Sequence, residues 1–159
     1  MPEILVLGLG NSILRDEGLG VRACERLVER YSLPAGVAVR EGGTLGPHLL
    51  PDLEGVRDLL VVDAVRADGP PGTLVRREGE ALAAALAPKA SLHQFGLAEL
   101  LALAGLLGAP PRRVVLWGMV PAAVEPGLEL TAPVAAALDA LADAIAGELR
   151  AWGAPTVAR

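Results

Sequence analysis

Residues 4–20 read ILVLGLGNSILRDEGLG. The run ILVL is apolar on both parities, which predicts a strand over 3–9 that is covered on both faces and ended by glycine. Residues 18–31 predict a helix: Val21, Cys24, Val28 and Tyr31 share one face, while Arg22, Glu25, Arg26 and Glu29 lie outside it. Gly8-x-Gly10 could open a dinucleotide fingerprint, but Ile13 stands at the third glycine position and Glu41 is the one acid placed to hold a ribose. The turn also runs into Asp16 and Glu17, where a phosphate would need cations or bare amides. A helix N-terminus favours acids, so Asp16 is the better candidate for the cap. That explanation covers one carboxylate and leaves Glu17 free to face the rim of the sheet.

The rest of the chain repeats the alternation. GVAVRE (36–41) predicts a second strand stopped by Gly42-Gly43, followed by a short helix over 45–54 with Thr44 as its N-cap and Pro47 in its first turn. RDLLVVDAV (57–65) predicts a third strand, PGTLVRR (71–77) an edge strand and RVVLWGM (113–119) a fifth. A helix over 94–107 aligns Leu97, Leu100, Leu101 and Ala104, and one over 132–151 aligns Val134, Leu138, Leu141, Ile145 and Leu149. This order predicts a single α/β domain over residues 1–159, a three-layer sandwich with a mostly parallel five-stranded sheet and helices on both faces. The link between the third and fourth strands is too short for a helical crossover, so the fourth is expected to be antiparallel and at an edge. Ligands in such sheets gather beyond the carboxyl ends of the strands. Those ends carry the 8–17 loop, the Gly42-Gly43-Thr44 turn and Asp63, with His93 opening the next helical region toward the same rim.

Composition narrows the chemistry. A net charge of −5 argues against nucleic acid as a partner. No apolar run is long enough for a confident transmembrane helix, and MPEILVLGLGN has neither the basic start nor the cleavage site of a signal peptide, so no membrane insertion is expected. One cysteine, Cys24, gives no internal disulfide and fits a reducing compartment, by default the cytoplasm. Scarce Asn and Gln fit a thermophilic source, and a GC-rich genome explains the Arg and Ala bias as well. No H-E-x-x-H or G-x-S-x-G occurs, and Cys24 falls on a buried helix face, which disfavours zincin, serine and cysteine catalysis. Asp63 interrupts LLVVDAV; a carboxylate there must be paired, hydrogen-bonded, exposed at the strand end or poised for a cation. His93 is either a structural residue or a ligand, and it outranks His48, which is placed on a surface helix. Glu17, Asp63 and His93 together supply two oxygens and one nitrogen, a set suited to a divalent transition ion with open coordination positions.

The stretches ILVLGLGNSILRDEGLGVRACERL, EGGTLGPHLL, LLVVDAV, SLHQFGLAELL and LWGMVPAAVEPGLELTAPV resemble, in the same order, the [NiFe]-hydrogenase maturation endopeptidases. The resemblance runs from about residue 3 to residue 150. It implies a mixed five-stranded sheet between helices, phosphorylase/hydrolase-like, and an endopeptidase that removes the C-terminal extension of the hydrogenase large-subunit precursor after nickel insertion. It implies that Glu17, Asp63 and His93 contact the nickel, and that Gly42, Gly43, Thr44 and Gln94 lie against the substrate. Nickel is then supplied by the precursor, and no permanently bound cofactor is expected. The nickel either polarises the scissile carbonyl or acts as a recognition handle while a carboxylate serves as base. Two departures bear on substrate fit: Glu41 stands where the family commonly has Asp, and Leu92 where a Pro often precedes the His. Two alternatives stay open: a non-catalytic, nickel-dependent checkpoint binder of the precursor, and a peptidyl-tRNA hydrolase-like enzyme. The latter also begins with GLGN but carries a His-Asn pair where this chain has RDEG.

Overall fold

The protein is described by a computed structural model covering residues 2–85, 96–108 and 110–159. The opening strand β1 (Ile4–Leu9) is buried along its whole length. A 3₁₀ turn (Arg15–Gly18) leads into α1 (Leu19–Arg30). There follow β2 (Tyr31–Ser32), β3 (Val37–Gly43), a 3₁₀ turn (Pro47–Leu49) with α2 (Leu50–Leu53), β4 (Asp58–Ala64) and β5 (Leu74–Glu78). The chain continues through α3 (Gly79–Ala85), α4 (Leu97–Leu106), β6 (Arg113–Met119), α5 (Ala132–Ala151) and β7 (Val157–Ala158). The five-stranded sheet has the order β3-β1-β4-β6-β5. β3, β1, β4 and β6 run parallel, and β5 pairs antiparallel with β6 at the edge, as the short 65–73 link requires.

Both faces of the central strands are covered. Ile4 and Val6 pack with Leu60, Val62, Leu19, Leu27 and the α5 stripe Val134, Leu141, Ile145 and Leu149. Leu5 and Leu7 pack with Leu59, Val61, Leu53 of α2 and Leu97, Leu100 and Ala104 of α4. This two-sided burial is the physical reason that β1 and β4 read as unbroken apolar runs.

Several elements differ from expectation. Tyr31 leaves the helix in an extended conformation and pairs, as part of β2, with β7 near the C-terminus. Val28 is 45% exposed instead of buried. The predicted helix over 45–54 is a 3₁₀ turn and one α-turn, and Gly46, not Thr44, sits at its N-cap. β3 does not stop before the glycines. It runs through Gly43, with a register shift that pairs Gly8 with Glu41 and Leu9 with Gly43, so that Gly42 is the extra residue of a bulge. β7 and α3 had no counterpart in the sequence reading.

One partly buried polar junction ties α5 to the sheet. Glu148 accepts from Arg76 Nε at 2.6 Å and Nη2 at 3.3 Å, and from the Trp117 indole Nε1 at 2.9 Å. Burial pushes its carboxyl up, but the bonds from Arg76 and Trp117 outweigh this and hold it below its ordinary value. Glu148→Ala strands the indole N–H and leaves Arg76 without this partner. It is expected to cost about 2 kcal/mol in chemical denaturation, and Glu148→Gln less.

Candidate active-site rim

Three segments meet at the carboxyl end of the sheet, and Gly10 is their meeting point. Its φ is +114°, and a Cβ there would collide with the Glu17 carbonyl while lying 3.5 Å from Asp63 Oδ1. Its N–H donates to the Gly43 carbonyl at 2.9 Å. A side chain at position 10 would force these apart, so the glycine is what lets the 10–17 loop fold back over β4. Gly43 is itself left-handed, with φ +57°, at the point where β3 ends at the rim. Asp63 is half-buried next to the end of β4, and its Oδ1 accepts the Ala64 N–H at 2.8 Å, which fixes the orientation of the carboxylate. Glu17 is half-buried on the 3₁₀ turn. Thus residues 17 and 63 and the Gly42-Gly43 turn, distant along the chain, are brought to one rim. Thr44 is exposed just beyond it, and His48 is exposed on the 3₁₀ turn after it. His93 and Gln94 lie outside the described residues. Among the described residues no group of three or more His, Cys, Asp or Glu is placed to hold a metal ion.

Asp16 does not cap the helix. No side-chain cap is formed at either Leu14 or Gly18, the N-cap positions of the 3₁₀ turn and of α1. The Asp16 carboxylate is fully buried and points across the molecule. Its Oδ2 accepts the Ala122 N–H at 2.8 Å, the Ala123 N–H at 3.1 Å and the Thr131 hydroxyl at 2.7 Å, while Oδ1 accepts the Thr131 N–H at 2.8 Å. Burial pushes this carboxyl up, but those four hydrogen bonds prevail and hold it below the usual range. Backbone bonds continue the seam: Asp16 N–H to the Ala123 carbonyl, Arg15 N–H to the Gly127 carbonyl and Gly127 N–H to the Ile13 carbonyl. Arg15, with φ +50°, is the non-glycine residue in the left-handed region among the described residues. Its side chain reaches the Glu129 carbonyl and Glu125 Oε1. The 121–131 segment is therefore the wall on which the Glu17 turn is mounted. Sequence reading gave that segment no role; the Thr131-x-Pro133 helix start marks where it ends, but nothing local marks its partner.

Cys24 is buried, with its thiol pushed up to about 12 chiefly by burial. A thiol in that state is no nucleophile, as expected from its helix face. No described helix is long and apolar enough to cross a membrane.

A family model described as hydrogenase maturation protease matches residues 21–148. The hydrogenase expression/formation protein HupD of Rhodobacter capsulatus is 46% identical over 96% of this chain and 74% of its own length. The hydrogenase 2 maturation protease of Escherichia coli is 38% identical over 99% of this chain and 96% of its own. The solved structure of the hydrogenase maturating endopeptidase HybD from E. coli superposes with a TM-score of 0.90 at 38% identity, covering 100% of this chain and 98% of that one. The whole-chain likenesses to the two E. coli proteins span the strands, the rim and the 121–131 wall together, and they set aside the peptidyl-tRNA hydrolase alternative. The chain belongs to the hydrogenase maturation protease family, whose members act as endopeptidases.

Proposed function

We propose that this chain removes the C-terminal extension of the [NiFe]-hydrogenase large-subunit precursor, and that it recognises the precursor by the nickel the precursor carries. The observation that supports this most is the convergence at Gly10, where the Glu17 turn and the Asp63 carboxylate approach the same point. Two carboxylates and an imidazole suit a borderline divalent ion better than a hard one. In this reading Glu17, Asp63 and His93 face the substrate's nickel, so that metal-loaded precursor docks in register and the scissile peptide lies along the rim beside Gly42, Gly43, Thr44 and Gln94. Because the ion belongs to the substrate, the free protein binds nickel weakly.

The test is to mix the purified chain with nickel-loaded and nickel-free precursor and weigh the products by mass spectrometry. The loaded precursor is expected to lose its extension and the nickel-free one to stay intact. Glu17→Gln, Asp63→Asn and His93→Ala are each expected to lower the rate by about tenfold or more. Cleavage indifferent to nickel overturns the recognition role. Binding of loaded precursor that is never shortened makes the chain a checkpoint instead of a protease.

A further inference from the structure

Among the described residues the sheet ends on one side at β3, which pairs there with β1 alone. No hydrogen bond among the described residues joins its outer edge to another strand. A groove of about 520 Å³ follows this edge, with Glu25, Val28 and Glu29 of α1 on one side and Val39, Arg40 and Glu41 of β3 on the other. Its apolar part is Val28, 45% exposed although it lies on an otherwise packed helix, and the half-buried Val39. Its charge is unbalanced. Glu29 is engaged by Arg26 at 2.9 Å, and Arg40 is drawn away toward Asp52 at 4.0 Å and its neighbour's Val39 carbonyl at 3.2 Å. Glu25 and Glu41 form no ion pair among the described residues. Both carboxylates are close enough to raise the Cys24 thiol further. The groove runs out at Gly42-Gly43, where the Gly43 carbonyl holds Gly10 and the rim begins.

An unpaired strand edge beside an apolar slot is the geometry that captures an extended peptide: main-chain bonds supply affinity and alternate side chains enter the slot. We propose that the precursor's C-terminal extension docks here as a sixth strand on β3, setting an apolar side chain between Val28 and Val39 and a Lys or Arg between Glu25 and Glu41. The inference rests on the peptidase reading and adds to it how the segment to be removed is held. β3 leads directly to the rim, so a strand laid on it delivers its end to Glu17 and Asp63. The two carboxylates select basic extensions, by attraction that salt screens.

Hydrogen–deuterium exchange on the whole chain tests this with two probes: nickel-loaded precursor, and the same subunit truncated to lack its extension. The full precursor is expected to slow exchange at residues 37–41 by about tenfold, and the truncated one to leave them unchanged. Glu25→Lys/Glu41→Lys is expected to weaken precursor binding by about three- to tenfold without altering affinity for the truncated subunit. A precursor whose extension carries Glu in place of Lys and Arg is expected to recover binding on that variant. Glu25→Gln/Glu41→Gln gives the same direction with smaller perturbation, should the double reversal melt early. Equal protection by both probes, or unchanged affinity of both variants, overturns the proposal. Protection at 37–41 without cleavage removes the peptidase reading and keeps the docking edge; cleavage without protection does the reverse.

Discussion

Asp16→Ala is expected to lower the unfolding free energy by about 4 kcal/mol. Four donors, at Ala122, Ala123 and twice at Thr131, converge on a carboxylate that is 0% exposed. A buried donor left without a partner costs about 1–3 kcal/mol, and partial relaxation or water entry keeps the total below the full sum. Asp16→Asn keeps the shape but turns an amide N–H₂ toward one set of donors, and is expected to cost about 2 kcal/mol. The pH dependence follows from the depressed carboxyl. Its contribution is fully present above the unfolded value of about 3.9. It is lost as pH falls from there through the lower folded value, the window in which unfolding is accompanied by proton uptake at this carboxylate. Urea denaturation from pH 7 down to pH 2 is the check. The wild type is expected to lose stability more steeply than Asp16→Asn below about pH 4. Parallel acid limbs would mean that Asp16 carries none of it.

Gly10→Ala is expected to reduce precursor processing by about 10²-fold, although it removes no functional group. In the proposed reading, Glu17, Asp63 and His93 variants each take away one contact and leave the frame. A methyl group at position 10 falls on the Glu17 carbonyl and 3.5 Å from Asp63 Oδ1, in a backbone conformation that side chains rarely adopt. The loop must swing off β4, which moves residue 17 and loosens the Gly43 hold at once. Measured by single-turnover processing of nickel-loaded precursor, the loss should appear in the cleavage step with the melting temperature reduced but the fold retained in circular dichroism. Wild-type rates from Gly10→Ala would place the chemistry elsewhere than this rim.

Periodicity made the scaffold legible. β6 and α5 have the bounds read from RVVLWGM and from the 132–151 stripe, because each is one uninterrupted run of a single period. The antiparallel edge followed from chain length alone. What could not be read was whatever depends on a distant partner. Asp16 beside a helix start looks like a cap; its true donors lie 106 to 115 residues away. Gly42-Gly43 looks like a stop; the strand passes through it as a bulge because β1 offers a matching register beyond. β7 is two exposed residues with no pattern, made a strand only by Tyr31–Ser32 opposite. The rim was legible in part: Asp63 betrayed itself as a charge in an apolar strand, and Glu17 as the acid left over when one cap was allotted, though that allotment was wrong for Asp16.

The seam between residues 13–16 and 123–131 also sets a schedule. A chain emerging from the ribosome can form β1 and α1 early, since their contacts are near in sequence, yet Asp16 finds its donors only after Thr131 has been made. Until then the turn that bears Glu17 has nothing to lean on. The turn that carries Glu17 is thus seated only once residues 121–131 have been made, more than a hundred residues after the turn itself.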